Sequence, residues 1–382
     1  VKQKIAIIHP SFSTIGGAEK VIIEIANYWK KQGHCVCVFS KSFSKYSKER
    51  LLEYGISTHA IQLPFIDPDH QPRHIRLFGL YLAFCLKNYT LINTHNSPSN
   101  LWVHYAKKIN PSIGGYWCWI CHDPNKDLYA NEWFNANEIQ SKSLSWLRHC
   151  DKQASQHINT IISNSQYVSK ILQKIYNRTP TTIYLSTISS NHRHQLIRPK
   201  RTSLFRILSI SRIEEFKNVR TIIDASHLAQ KNRPSIAIEL NIFGDGSLKK
   251  SLECYAKQLK GAVSIVFHGF SSRAKMHDTI NQCDIGVFIP LFEPMGLIPI
   301  EIAFYGIPCV GSNYGGPSEI VQHNYTGLLC NAKDPLSVAK CIQYFIDYPN
   351  QQTIMGRNAQ LYAQKHYTID TMMQKINTAL KI

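Results

Sequence analysis

Short, almost uninterrupted apolar runs alternate with helical stretches along this chain, and that alternation constrains the fold more than any other feature. The runs fall at residues 5–9, 36–39, 91–94, 160–163, 207–211, 236–243, 264–268, 285–289 and 308–312. They lack the polar alternation of a half-exposed strand, so they read as strands covered on both faces, which is the pattern of parallel sheets flanked by helices. At 382 residues the chain exceeds what one core usually covers, and its 44% hydrophobic content is enough for two. Two parallel-sheet α/β domains are therefore expected. The join is expected within residues 187–203, where Ser189-Ser190-Asn191-His192-Arg193-His194 and Arg198-Pro199-Lys200-Arg201 interrupt any apolar period. From Asp334 onward the pattern is helical.

The stretch Phe292-Glu293-Pro294-Met295-Gly296-Leu297-Ile298-Pro299-Ile300-Glu301 carries the most chemistry. It follows the apolar run 285–289, so Glu293 lies just past the carboxyl end of a strand, while Pro294 to Gly296 open the next helix and Glu301 lies inside it. Ligands of open α/β sheets bind at such strand ends, and helix N-termini offer unpaired N–H groups. Carboxylates accept hydrogen bonds from hydroxyls, so two of them around this turn suit a sugar nucleotide, one for the sugar and one for the ribose.

Glu293 and Glu301 form a Glu-x7-Glu motif. Its continuation runs through Ala303-Phe304-Tyr305-Gly306-Ile307-Pro308, Gly311-Ser312-Asn313-Tyr314-Gly315-Gly316-Pro317-Ser318-Glu319 and Asn324-Tyr325-Thr326-Gly327-Leu328-Leu329. In this context the chain resembles the retaining glycosyltransferases of the GT-B fold, of the group 1/family 4 type. The likeness reaches back to Ser209-Ile210-Ser211-Arg212-Ile213-Glu214-Glu215-Phe216-Lys217-Asn218, which is similar to the family's Arg-x4-Lys segment, with Ser211 where the family usually has Gly. The resemblance implies two Rossmann-like domains facing across a cleft: residues 1–190 for the acceptor, 200–365 for the nucleotide sugar, and a C-terminal helix within 366–382 that crosses back to the first domain. It further implies that Arg212 and Lys217 hold the donor diphosphate, whose developing negative charge must be stabilised as it leaves. Glu293 and the amides of Met295, Gly296 and Leu297 would hold the sugar, Glu301 the ribose, and Gly244 and Ile298 join the donor-binding set. The alternative for Arg212 and Lys217 is a solvated basic turn.

In the first half, residues 4–9 read as a strand, 10–17 as a loop and 18–31 as a helix ended by Gly33. The Gly16-Gly17-Ala18-Glu19 turn resembles the family's first-loop glycines, which let backbone approach the donor, although most Gly-Gly pairs are only turns. Residues 112–124 end a strand in His122-Asp123-Pro124, similar to the family's histidine loop, which implies that His122 lies near the reacting sugar. The bland reading is a capped histidine at a strand end. Cys118-x-x-Cys121-His122 also satisfies the c-type haem attachment pattern. That reading needs an exposed segment and an export signal, so both cysteines are expected to be packing residues of a buried strand.

The net charge of +18 is unevenly placed: residues 1–200 hold 24 of the 43 Lys and Arg but 11 of the 25 Asp and Glu, net +13 against +5 for the remainder. Such a surface invites an anionic partner, either a lipid-linked diphosphate acceptor with the anionic inner leaflet or, on the bland reading, only solvent. Nucleic acid is not supported, since no helix-turn-helix, zinc or RNA-recognition signature is present. No apolar run approaches the ~20 residues of a membrane span, and residues 75–86 read as a core helix. With a strand expected from Lys4, no signal peptide is expected within this sequence, which begins at Val1 rather than an initiator methionine, and eleven scattered cysteines fit a reducing cytoplasm. The expectation is thus a cytoplasmic, peripherally membrane-bound, metal-independent enzyme with no cofactor. It moves a hexose, mannose from GDP-mannose favoured and a UDP-sugar possible, to a lipid-linked or glycan acceptor in polysaccharide biosynthesis. A GT-B sugar-nucleotide epimerase and a catalytically silent partner of another transferase are the rival readings.

Overall fold

The computed structural model describes residues 1–61, 72–126, 128–129, 142–190, 203–259, 261, 263–271 and 273–382. The chain divides into two compact units, one of residues 1–187 with 369–382 and one of residues 188–368. Most of the expected join, residues 191–202, lies outside the described residues.

The first unit runs β1 (Lys4–Ile8), α1 (Gly17–Lys31), β2 (Cys35–Ser40), α2 (Lys45–Glu53), β3 (Ser57–Ala60), α3 (Pro72–Cys85), β4 (Leu91–His95), α4 (Ser99–Ile109), β5 (Tyr116–Cys121), α5 (Lys142–Gln156), β6 (Thr160–Ser163), α6 (Gln166–Tyr176) and β7 (Thr181–Thr182). The strands form one sheet in the order β3-β2-β1-β4-β5-β6-β7, every pairing parallel. Residues 5–8 of β1 are fully buried, as the unbroken apolar run requires. Helix α1 turns Val21, Ile22, Ile25, Ala26 and Trp29 inward at helical spacing, and Gly33 follows its last turn at φ +84°.

The second unit repeats the plan. It contains β8 (Leu204–Ile210), α7 (Val219–Asn232), β9 (Ala237–Phe243), α8 (Lys249–Gln258), β10 (Val263–Gly269), α9 (Arg273–Gln282), β11 (Ile285–Phe288), α10 (Leu297–Phe304), β12 (Cys309–Ser312), α11 (Pro317–Ile320), β13 (Gly327–Cys330), α12 (Pro335–Asp347) and α13 (Pro349–His366). Its parallel sheet has the order β10-β9-β8-β11-β12-β13. Ile207, Ile238, Leu240, Ile285, Val287 and Val310 meet Ile222, Ile223, Ala225, Val338, Ile342 and Phe345 in one core, while Leu208, Phe243, Ile280, Ile302 and Ile307 form a second. In both units the strand order reverses beside the first strand, and this switch point opens a crevice at the carboxyl ends of the two strands that flank it.

The C-terminal helix, Ile369–Leu380, belongs to the first unit: Asn377 accepts a hydrogen bond from the Trp29 indole at 2.9 Å, and Met372, Met373 and Ile376 are buried. Three strands escape the sequence reading. β3 carries Ser57-Thr58-His59-Ala60 with no apolar run, β7 has two threonines, and β13 lies in the Asn324 to Leu329 motif and just beyond it, with no long apolar run of its own. The helix expected at residues 75–86 is present as α3, which buries Ile75, Phe78, Gly79, Leu82 and Ala83, with Leu86 just beyond it, as a core-facing helix does, while Leu77, Leu80 and Phe84 on its other face are exposed.

Candidate active site

In the second unit the switch point lies between β8 and β11, and the loops that follow these strands hold the motif cations and the first motif carboxylate. After β8 the chain passes Arg212 and makes one 3₁₀ turn, Glu215–Lys217. Asn218 ends it in the left-handed region at φ +61°, which asparagine tolerates better than most residues. Its side-chain amide donates to the carbonyls of Ile289 (3.2 Å) and Ala332 (2.7 Å), and its carbonyl accepts from Thr221 (2.7 Å). Asn218 thereby ties the lysine turn to the ends of β11 and β13, and Leu291 N–H to Phe216 O at 2.8 Å adds a backbone tie.

Lys217 Nζ then reaches Glu293 Oε2 at 2.5 Å, both side chains being mostly buried. The same ammonium lies 5.2 Å from the Phe216 ring and 5.7 Å from that of Phe288, and the Arg212 guanidinium lies 5.5 Å from Phe216. The structure therefore gathers Arg212, Lys217 and Glu293 around one aromatic ring, with Arg212 exposed to solvent. Glu214 turns the other way: its carboxylate accepts from Ser247 Oγ (2.6 Å) and N–H (3.0 Å), bonds that hold it below the usual carboxylate range. Gly244 sits where a Cβ would come within 1.8 Å of the Ser211 carbonyl, so at this position backbone must pack against the arginine loop.

The Glu293 loop rests on two glycines. Gly316 N–H donates to the Glu293 carbonyl at 2.9 Å, and a Cβ on Gly316 would lie 2.2 Å from Met295 Cα. Gly296, at φ +97°, turns the chain into α10, whose first N–H groups have no partners within the helix. Met295 and Gly296 are buried, Leu297 and Ile298 half-buried, and the half-buried Glu301 sits one turn further along.

The first unit holds its own polar cluster at its own switch point. Glu19, in the first turn of α1, accepts from the Gly16 N–H at 2.7 Å and contacts His9 Nε2 at 2.9 Å. Burial works to raise this carboxyl, but the bond and charge of His9 and the Gly16 N–H outweigh it and hold the carboxyl low. The Gly16 amide is thus committed to Glu19, and Gly17 begins the helix. His122, just past β5, contacts His95 Nδ1 through Nε2 at 3.0 Å; its backbone N–H donates to Asn96 and its carbonyl accepts from Asn164 at 2.7 Å. Burial first and the nearby His9 second pull the His122 imidazole down to about 3, so it is neutral near pH 7. His95, fully buried, is pushed well below the ordinary histidine value by burial and by His122.

Residues without a role in the sequence reading complete both clusters: Asn218, Gly315 and Gly316 in one, His9, Asn93 and His95 in the other. Polar residues within and just after the apolar run 91–94 were the available signal for the last two, because buried polar groups need partners. Cys118 and Cys121 lie fully buried in β5 as free thiols raised by burial, as packing residues would. Among the described residues no cluster of three or more His, Cys, Asp or Glu could hold a metal ion.

Two family models cover nearly the whole chain: Glycosyltransferase Family 4 matches residues 15–185 and Glycosyl transferases group 1 matches residues 193–362. The chain is 24% identical to the alpha-1,3/1,6-mannosyltransferase ALG2 of Mus musculus over 67% of this chain and 65% of that protein, just under two thirds of its length. It is also 24% identical to the ALG2 of Dictyostelium discoideum, over 99% of this chain and 97% of that one. Among solved structures, HepE of Anabaena in complex with UDP and glucose matches at a TM-score of 0.76 and 21% identity, covering 99% of both chains. The lipopolysaccharide outer core galactosyltransferase WaaB, in its apo form, matches at 0.73 and 16%, again with 99% of both. With two parallel Rossmann-like sheets and these matches, the chain belongs to the group 1/family 4 glycosyltransferases of the GT-B fold.

Proposed function

We propose that this glycosyltransferase is a retaining hexosyltransferase whose second unit binds a nucleoside-diphosphate sugar at the switch point between β8 and β11. The observation that carries the reading is the gathering of Arg212, Lys217 and Glu293 around Phe216, with Lys217 Nζ 2.5 Å from Glu293 Oε2. A leaving diphosphate gains negative charge as the anomeric C–O bond breaks, and two fixed cations stabilise that charge without a metal. In this scheme Arg212 and Lys217 hold the diphosphate, Glu293 and the amides at the start of α10 hold the sugar hydroxyls, and Glu301 takes the ribose. The acceptor hydroxyl attacks the anomeric carbon on the face the diphosphate leaves, the transition state is oxocarbenium-like, and the hydroxyl proton passes to the departing phosphate oxygen. His122, in the first unit, is read as a residue that meets a sugar hydroxyl.

Likeness to ALG2 mannosyltransferases favours mannose from GDP-mannose; likeness to HepE with UDP and glucose bound favours a UDP-sugar. The acceptor is read as a lipid-linked or growing glycan. Supporting this, no helix among the described residues is long and apolar enough to cross a membrane, yet α3 exposes Leu77, Leu80 and Phe84 on one face, with exposed Arg76, Lys87 and Lys108 nearby on a unit of high positive charge. Such a face suits docking on an anionic bilayer.

A thermal-shift panel of GDP-, UDP- and ADP-sugars tests the donor reading. A ligand at a hundred times its dissociation constant stabilises by about 2.7 kcal/mol, a visible shift. One nucleotide class is expected to stand out, and weaker stabilisation of Arg212→Ala and Lys217→Ala by it should follow. No shift with any of the three would overturn the donor assignment.

A further inference from the structure

His122 does not stand alone at its strand end. Asn93 and His95 are alternate residues of β4, both wholly buried, and they continue inward from it. Asn93 Oδ1 lies 2.7 Å from His95 Nε2, and His95 Nδ1 lies 3.0 Å from His122 Nε2. A carbonyl oxygen only accepts, so His95 Nε2 carries the proton there. With its proton on Nε2, a neutral His95 offers Nδ1 as an acceptor, and His122 must fill that contact with its own Nε2–H. The remaining nitrogen of His122, Nδ1, has no hydrogen-bond partner among the described residues and is not among the buried orphan atoms, whereas Nδ1 of His9 is.

We propose that Asn93 and His95 are positioning residues: the buried chain they form fixes His122 as the Nε2-protonated tautomer and turns its Nδ1 lone pair outward, to accept a hydrogen bond from a ligand hydroxyl. This rests on the reading of His122 as a sugar-site residue and deepens it. A hydrogen-bond acceptor at that point selects a hydroxyl and disfavours an anionic group, which offers no proton. The groups bearing on the His122 ring are His95 from β4 and His9 and Glu19 from the first strand and helix; the Glu19 charge is taken up by His9 and the Gly16 N–H, and burial keeps both His95 and His122 uncharged. The relay therefore holds across the range in which a free histidine titrates.

Full-length protein labelled with ¹⁵N-histidine decides the matter by long-range ¹H–¹⁵N correlation spectra, the His122 signals being assigned by their loss in His122→Asn. The expected spectrum is the Nε2-protonated pattern, unchanged from about pH 5 to about pH 8. His95→Leu should release it into mixed tautomers that titrate, while His95→Asn, which can return an oxygen near the Nδ1 position, should restore the fixed form. An Nδ1-protonated or mixed His122 in the wild-type protein, as a turned-over Asn93 amide would produce, overturns the proposal without any variant having to fold. With the donor found in the panel, His122→Asn should retain more turnover than His122→Gln, since Asn places its oxygen where Nδ1 was. Turnover unaffected by His122→Ala would remove the hydroxyl-accepting role and the reading of His122 it rests on, whereas the spectra judge the relay separately.

Discussion

Gly316→Ala is a perturbation that adds one methyl group, removes no charge, and should still disable the donor site. Gly316 has φ −58° and ψ −39°, where any L-residue is at ease, so backbone preference gives no reason for glycine. Space does. An added Cβ would stand 2.2 Å from Met295 Cα, 2.3 Å from its carbonyl oxygen and 2.4 Å from its carbonyl carbon, all backbone atoms. Ordinary contact begins near 3.4 Å, so the two segments must part by about 1 Å, and the 2.9 Å bond from Gly316 N–H to Glu293 O must stretch or break. Overpacking of this kind costs about 1–3 kcal/mol of stability, and a misplacement of about 1 Å costs about a hundredfold in rate. The assay is kcat and KM with the identified donor, beside circular dichroism and melting temperature. Gly114→Ala, whose Cβ meets nothing within 4 Å, is the control and should behave as wild type. A folded Gly316→Ala enzyme with unchanged turnover would refute the claim that the Gly315-Gly316 pair sets the position of the Glu293 loop.

Acid should destabilise the first unit earlier than carboxylates alone would. His95 and His122 have native values depressed below the unfolded value of about 6.5, so below that pH the unfolded chain binds protons the native chain does not, and stability falls as pH falls, at about 1.4 kcal/mol per pH unit for each group, down to the native value of about 3 for His122. Urea midpoints between about pH 7.5 and about pH 5 should show this loss, and a flat profile would contradict it. Asn218→Ala loses two donated hydrogen bonds and forces alanine into the left-handed region, for about 2–3 kcal/mol in all; Asn218→Gly should recover only the backbone part, as read from urea unfolding. Glu301→Ala is expected to raise KM for the donor with little change in kcat, because a ribose contact is the same in ground and transition states. EDTA should leave turnover unchanged if Arg212 and Lys217 neutralise the diphosphate.

Much of this architecture is legible before any coordinates. Runs buried on both faces leave no polar alternation, so residues 5–9, 285–289 and 308–312 announce parallel strands directly. Edge strands do not: β3 is covered on one side only and carries Ser57, Thr58 and His59, chosen for partial exposure rather than for a core. The grouping of Arg212, Lys217 and Glu293 was legible because these residue types stand at the spacing of the motifs the sequence resembles. Asn218 and Gly316 were not, since their roles depend on contacts with Ile289, Ala332 and Met295, residues distant in sequence. His95 was signalled only by its polarity, because its partner His122 lies 27 residues away, just past the neighbouring strand.

In the proposed mechanism Lys217, fixed beside Glu293, stabilises charge that develops only as the donor bond breaks. Steady-state kinetics of Lys217→Ala with the identified nucleotide sugar test it most directly. The expected kcat is lower by about a hundredfold or more, with the fold intact by circular dichroism. A near wild-type kcat in a folded Lys217→Ala enzyme would contradict the diphosphate assignment and the mechanism built on it.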